Sequence, residues 1–167
     1  MIKVDVFIQE KKWKKYIANP QKYLKNRTNK IRNLIPLLKN KKIVFSILLA
    51  GNMEIKKLNK KFRKKNKITD ILSFPFYRGQ ELKKKIRKNK NIYLGDIILN
   101  YHKIHKLKKR DFIAKFNELW VHGFLHLIGH KHYKNKDFYK MSKLENQILS
   151  KVQNIKPLNY NIPSDIS

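Results

Sequence analysis

The sequence predicts a small fold of mixed helices and strands, and three observations predict it. Four segments of seven or eight residues alternate or run apolar in the manner of strands. Longer segments between and after them repeat apolar residues at helical spacing. Near position 120, four of the six histidines fall within eleven positions of an apolar, helix-forming stretch, Trp120 to His132.

In chain order, Met1 to Ile8 alternates like a first strand, and Lys11 to Lys15 is a charged segment. Asn19-Pro20 marks a helix start with proline in the first turn, followed by a helical stripe of Leu24, Ile31, Ile35 and Leu38 whose end Pro36 bends or shortens. Ile43 to Leu49 is continuously apolar apart from Ser46 and partly β-branched, so a strand buried on both faces is expected. After the Gly51-Asn52 turn, Met53 to Lys65 carries Ile55, Leu58 and Phe62 on a helical stripe and is the densest basic element. Thr69 to Phe76 is a third strand, with Pro75 placing it at a sheet edge or at its own end. Tyr77 to Lys90, with Gly79, a basic cluster and weak periodicity, reads as an exposed loop, and Tyr93 to Leu99 as a fourth strand forming a hairpin with the third. A short basic helix from Tyr101 carries His102 and His105. A long helix then runs from about Asp111, a candidate N-cap, to Ile128, and a last amphipathic helix spans Asp137 to Val152 through Phe138, Met141, Leu144, Ile148 and Val152. One domain over residues 1–153 and an irregular tail over 154–167 follow from this reading.

His122 and His126 stand four apart, so on a helix their rings lie one turn above another and can converge on one ion. Gly129 can end the helix in a left-handed residue and return the chain so that His132 approaches the same point. His130 is a weaker candidate, because in a continued helix it would lie about 12 Å along the axis from His122. Three neutral imidazoles leave one tetrahedral position of zinc open, the catalytic pattern, and the absence of cysteine excludes sulfur-rich structural zinc sites. The competing reading is a pair of half-buried histidines bonded to backbone. Zinc peptidases place a glutamate directly after the first histidine as general base, and here that residue is Gly123, which makes peptide hydrolysis the weaker candidate chemistry.

The 167 residues carry 41 Lys plus Arg against 11 Asp plus Glu, a formal charge of +30 that favours a polyanionic partner, RNA or DNA before an anionic membrane. Only six of the basic residues are arginine, so part of the excess reflects a lysine-rich composition. Lys57, Lys60, Lys61, Arg63, Lys64 and Lys65 are the candidate nucleic-acid contacts. The longest apolar run, Ile43 to Ala50, falls far short of the roughly 20 residues that cross a bilayer. The first residues lack the apolar core of a signal peptide, and with no cysteine the chain fits a reducing cytoplasm.

Three stretches occur in an order and spacing that resemble the YbeY family of bacterial rRNA maturation factors, also described as endoribonucleases. They are Leu58-Asn59-Lys60-Lys61-Phe62-Arg63 leading to Thr69-Asp70-Ile71-Leu72-Ser73-Phe74-Pro75; Leu94-Gly95-Asp96-Ile97; and His122-Gly123-Phe124-Leu125-His126-Leu127-Ile128-Gly129 with His132. The resemblance implies a zincin-like α+β fold with a small mixed four-stranded sheet and one zinc ion on His122, His126 and His132. It implies a single-strand-directed endoribonuclease that matures the 3′ end of small-subunit (16S) rRNA and serves ribosome quality control. rRNA and the small ribosomal subunit are then the expected partners, with a ribosomal protein or an assembly GTPase as further candidates and no membrane. Arg63 matches the family's arginine, and its planar fork suits bidentate contact with the scissile phosphate. The chain departs from the family before the third ligand, where His130-Lys131 replaces the usual Tyr-Asp. Asp70 and Asp96 can equally serve to pin strand ends. Two other classes stand beside this reading: a non-catalytic ribosome-assembly factor with a structural metal, and a metallopeptidase.

Overall fold

The computed structural model describes residues 1–131 and 135–154, and in them four strands and five helices form a mixed α+β fold. The order along the chain is β1 (Ile2–Ile8), α1 (Pro20–Ile31), β2 (Lys42–Ala50), α2 (Asn52–Arg63), β3 (Ile71–Pro75), α3 (Gly79–Lys88), β4 (Asn91–Asn100), α4 (Lys109–Leu127) and α5 (Asn135–Gln153). The sheet order is β1-β2-β4-β3, with β1 and β4 parallel to β2 and β3 antiparallel to β4. The third and fourth strands pair antiparallel as expected, though a helix rather than a loop joins them, and β3 with Pro75 lies at an edge, where a residue without an N–H costs no ladder bond.

Alternation decides the faces. Ile43, Phe45, Ile47 and Leu49 of β2 point with Ile97 and Leu99 of β4 into the main core, which α1, α4 and α5 cover. The opposite face carries Leu48, Ile98, Leu72 and Phe74 and is only partly covered by α2 through Ile55 and Leu58. The expectation that β2 is buried on both faces is corrected here, since Val44, Ser46 and Leu48 remain half-buried beneath this incomplete second layer. At the other edge, Gln21 of α1 imitates a strand: its Oε1 accepts from Val6 N at 3.0 Å and its Nε2 donates to Val4 O at 2.7 Å, blunting the exposed edge of β1.

α1 begins where Asn19-Pro20 indicates, with Asn19 Oδ1 accepting from Lys22 N at 2.9 Å. It ends at Ile31, earlier than the apolar stripe implies. Ile35, between the 3₁₀ turns Arg32–Leu34 and Pro36–Leu38, and Leu38 in the second of them are buried, and the Pro36 ring forbids a continuous helix. The loop expected over Tyr77 to Lys90 is instead α3. Two apolar anchors one turn apart, Leu82 and Ile86, bury against the core and stabilise a helix whose other residues are mostly charged. Asp111 is not the N-cap of α4. Lys108 occupies that position, and Asp111 sits in the first turn, where its charge favours the helix dipole. On α5, Met141, Ile148 and Val152 are buried as expected, whereas Phe138 is exposed, as is Phe62 on α2. The tail from 155 onward lies outside the described residues. No helix among those described is long and apolar enough to cross a membrane.

Candidate functional site

The last turns of α4 combine a buried side, with Trp120, Phe124 and Leu127 in the main core, and a half-buried edge carrying His122 and His126. One turn apart, the two rings meet edge to face at 4.6 Å between centroids, with their Nε2 atoms 3.0 Å apart. Their other nitrogens are fixed. His126 Nδ1 lies 2.9 Å from the carbonyl oxygen of His130, which can only accept, so this nitrogen carries the proton. His122 Nδ1 lies 3.1 Å from Glu145 Oε1 on α5. With both Nδ1 atoms engaged, the two Nε2 atoms face one another at 3.0 Å, a contact that a shared proton or a cation between them makes favourable.

This donor set fits zinc. Ligating histidines characteristically donate the remote ring N–H to a carboxylate or a backbone carbonyl, and two nitrogens at 2.0–2.1 Å from a tetrahedral ion stand about 3.3 Å apart. Among the described residues there is no group of three metal-binding side chains, and His132, the third expected ligand, lies outside them.

The turn after α4 is what brings His130 into play. Gly129 adopts φ 96°, Gly129 N donates to His126 O at 3.0 Å and His130 N donates to Leu125 O at 3.0 Å, a Schellman termination that folds the chain back over the last turn. His130, the weaker ligand candidate, thus acts on His126 through its carbonyl. Its own ring is partly desolvated, which lowers its pKa from the ordinary histidine value.

Two clefts flank the pair. On the His126 side a cavity of about 370 Å³ is lined by Arg63, Ser73, Tyr77, Arg78, His130 and Lys131 among others. Arg63 reaches it from the end of α2, donating from Nη2 to Ser73 O at 3.0 Å, with its guanidinium 5.7 Å from the centre of the Phe74 ring. The structure therefore brings Arg63 and His126 to one cavity although they stand 63 positions apart in sequence. Lys57, Lys60, Lys61, Lys64 and Lys65 are exposed on and just beyond α2 and do not line it. On the His122 side a cleft of about 520 Å³ is lined by Asp70, Glu118 and Glu145 with Lys115. Cationic groups thus gather on the Arg63 flank of the histidines, and carboxylates, with Lys115 among them, on the other.

Asp70 pins the start of β3, its Oδ1 accepting from Ile71 N at 2.9 Å and Thr69 Oγ1 at 3.0 Å, and it also borders the His122 cleft. Asp96 lies on the far face of the sheet, where it accepts from Tyr93 Oη at 2.6 Å. Burial first, and then that bond, push the Tyr93 pKa up to about 12. Glu145, Arg78 and Lys131 are site residues that reading the sequence missed. Glu145 was findable, since it lies four residues after Met141 and three before Ile148 and so places a carboxylate beside the inward stripe of a lysine-rich helix.

Gly123 sits where α4 presses on the sheet: a Cβ there would stand 2.9 Å from Ile97 Cγ2 and 3.0 Å from Ile71 Cδ1. The position that holds a catalytic glutamate in zinc peptidases is therefore closed by packing.

The family model described as endoribonuclease YbeY matches residues 7–153. The chain belongs to the YbeY family. The match spans Arg63, the histidine stretch and Glu145. Among curated YbeY endoribonucleases, that of Pelagibacter ubique is 44% identical over 154 residues, 89% of this chain and 94% of its own length. That of Thermodesulfovibrio yellowstonii is 36% identical over 119 residues, 69% of each chain. The solution structure of TM1509 from Thermotoga maritima shares the fold, with a TM-score of 0.54 at 21% identity over 92% of this chain and 90% of that one.

Proposed function

We propose that this YbeY-family chain is a zinc-dependent endoribonuclease that cuts single-stranded stretches of RNA and matures the 3′ end of small-subunit (16S) rRNA, with a part in ribosome quality control. Family membership supports the class: a nuclease, a hydrolase of phosphodiester bonds whose substrate is RNA. The finer reading takes residues 1–153 as one zincin-like hydrolase domain acting in the cytoplasm. Its partners are rRNA and the small subunit, with a ribosomal protein or an assembly GTPase as further candidates.

The observation that carries the metal is the 3.0 Å approach of two Nε2 atoms whose rings are each held from behind, with His126 bordering the same cavity as Arg63. In this reading His122, His126 and His132 hold one zinc ion, which supplies an acidified water and a Lewis acid for a phosphoryl oxygen. Glu145 and the His130 carbonyl keep both rings oriented with their remote nitrogens protonated. Arg63, its fork steadied by Ser73 O, holds the scissile phosphate through its remaining N–H groups and stabilises charge developing on the phosphoryl oxygens. Lys57, Lys60, Lys61, Lys64 and Lys65 hold the flanking backbone without reading its sequence.

The test is cleavage of small-subunit rRNA 3′ fragments by protein stripped of metal and then reloaded with zinc. Cleavage should vanish on stripping and return on reloading. Tight binding with no cleavage in either state would instead make the chain a non-catalytic assembly factor.

A further inference from the structure

The helix α3 has no role in the site as described, yet it starts at the rim of the His126 cavity, which Arg78 and Gly79 help to line. Its inner side is fully used, with Leu82 and Ile86 buried. Its outer side exposes Lys83, Lys84, Arg87 and Lys88 around a shallow groove of about 600 Å³, in which Glu81 is the one acidic lining residue. Lys85 is diverted from that group, its Nζ resting 5.2 Å from the centre of the Tyr77 ring, and Tyr77 lines the cavity as well. The helix thus joins the cavity wall at one end and displays four neighbouring cations leading away from it.

We propose that the outer face of α3 is a second phosphate track, which holds the single-stranded RNA on the opposite flank of the cavity from the lysines of α2. This rests on the reading that the cavity takes RNA. From Lys83 to Lys88 the cations extend about 7.5 Å along the helix, enough for about three phosphates at the roughly 3.4 Å charge spacing of a stacked strand. A membrane surface fits less well, because an interfacial helix needs an apolar face free to insert and both large apolar residues of α3 are already buried in the core. With the α2 lysines at one side and α3 at the other, the strand is gripped across the histidines, and lysine point charges without base contacts make the grip indifferent to sequence.

The experiment measures binding of a fluorescent oligouridine by metal-free protein across a salt series. It compares the wild type with a variant carrying Lys83→Ala, Lys84→Ala, Arg87→Ala and Lys88→Ala, and with a control of equal charge carrying Lys11→Ala, Lys14→Ala, Lys22→Ala and Lys25→Ala. Alanine is the strongest helix former, so α3 should persist, and circular dichroism verifies it. At about 0.7 per phosphate contact, the α3 variant should lose about 2 from the slope of log K against log salt, while the control loses less than 1. Equal slopes in variant and wild type, or equal losses in variant and control, would overturn the track. Binding to vesicles of anionic lipid that depends on the α3 cations when oligouridine binding does not would assign the face to a membrane. If the wild type cuts no RNA but its slope still depends on α3, the nuclease reading fails and the track stands.

Discussion

Glu145 Oε1 on α5 lies 3.1 Å from His122 Nδ1 on α4, so the packing of two helices sets the orientation of a candidate metal ligand. A carboxylate there both fixes the ring and raises the basicity of the nitrogen that faces His126. Glu145→Gln keeps the shape and removes the charge, and loss of such a partner typically weakens metal affinity by about 10- to 100-fold. Competition with a zinc chelator should show a drop in this range with the fold intact by circular dichroism. Unchanged affinity would make Glu145 a structural contact only.

The helix bearing the histidines lies against the sheet through Gly123. A methyl group added there meets Ile97 and Ile71 at 2.9–3.0 Å, and the fully buried Ile97 can yield only by disturbing its own packing. Gly123→Ala should lower stability by about 1–3 kcal/mol, the usual cost of overfilling a core, and Gly123→Glu by more, without creating peptidase activity. Urea unfolding reads the first, and a peptide substrate the second. A Gly123→Ala protein as stable as the parent would show that the helix has room to shift.

Much of this arrangement was legible in the sequence. Period-two alternation marked β1, Pro75 marked an edge strand, and the spacing of His122, His126 and Gly129 marked the helix and its left-handed end. What escaped depends on contacts distant in sequence. α3 carries only Leu82 and Ile86 as anchors, too few for a visible helical period, and its stability comes from the core that receives them. The convergence of Arg63 with His126, and of Glu145 with His122, depends on how α2, α4 and α5 are laid on the sheet, which local spacing does not encode. The solvent exposure of Phe62 and Phe138 follows likewise from the incomplete layers outside them.

Arg63 separates an enzyme from an RNA-binding factor. Only it, of the basic set on α2 and the following turn, borders the cavity, while its lysine neighbours contribute diffuse charge. Arg63→Ala should slow single-turnover cleavage by about 10²-fold or more, the scale for losing one preorganised donor to developing negative charge, with RNA affinity nearly unchanged. Arg63→Lys should rescue poorly, because a point charge cannot supply two parallel donors. Equal and small losses in cleavage and binding, matching those of Lys61→Ala, would reduce Arg63 to one more cation of a basic surface.

The central claim is that the paired histidines of α4 hold a metal, and zinc content per chain tests it most directly. Protein purified without chelator and equilibrated with zinc should retain one ion per chain. His126→Ala, which removes one of two nitrogens that now stand 3.0 Å apart, should fall well below that, while His102→Ala and His105→Ala should keep it. Full zinc content in His126→Ala, with loss in His102→Ala or His105→Ala, would contradict the assignment and move the metal to another part of the fold.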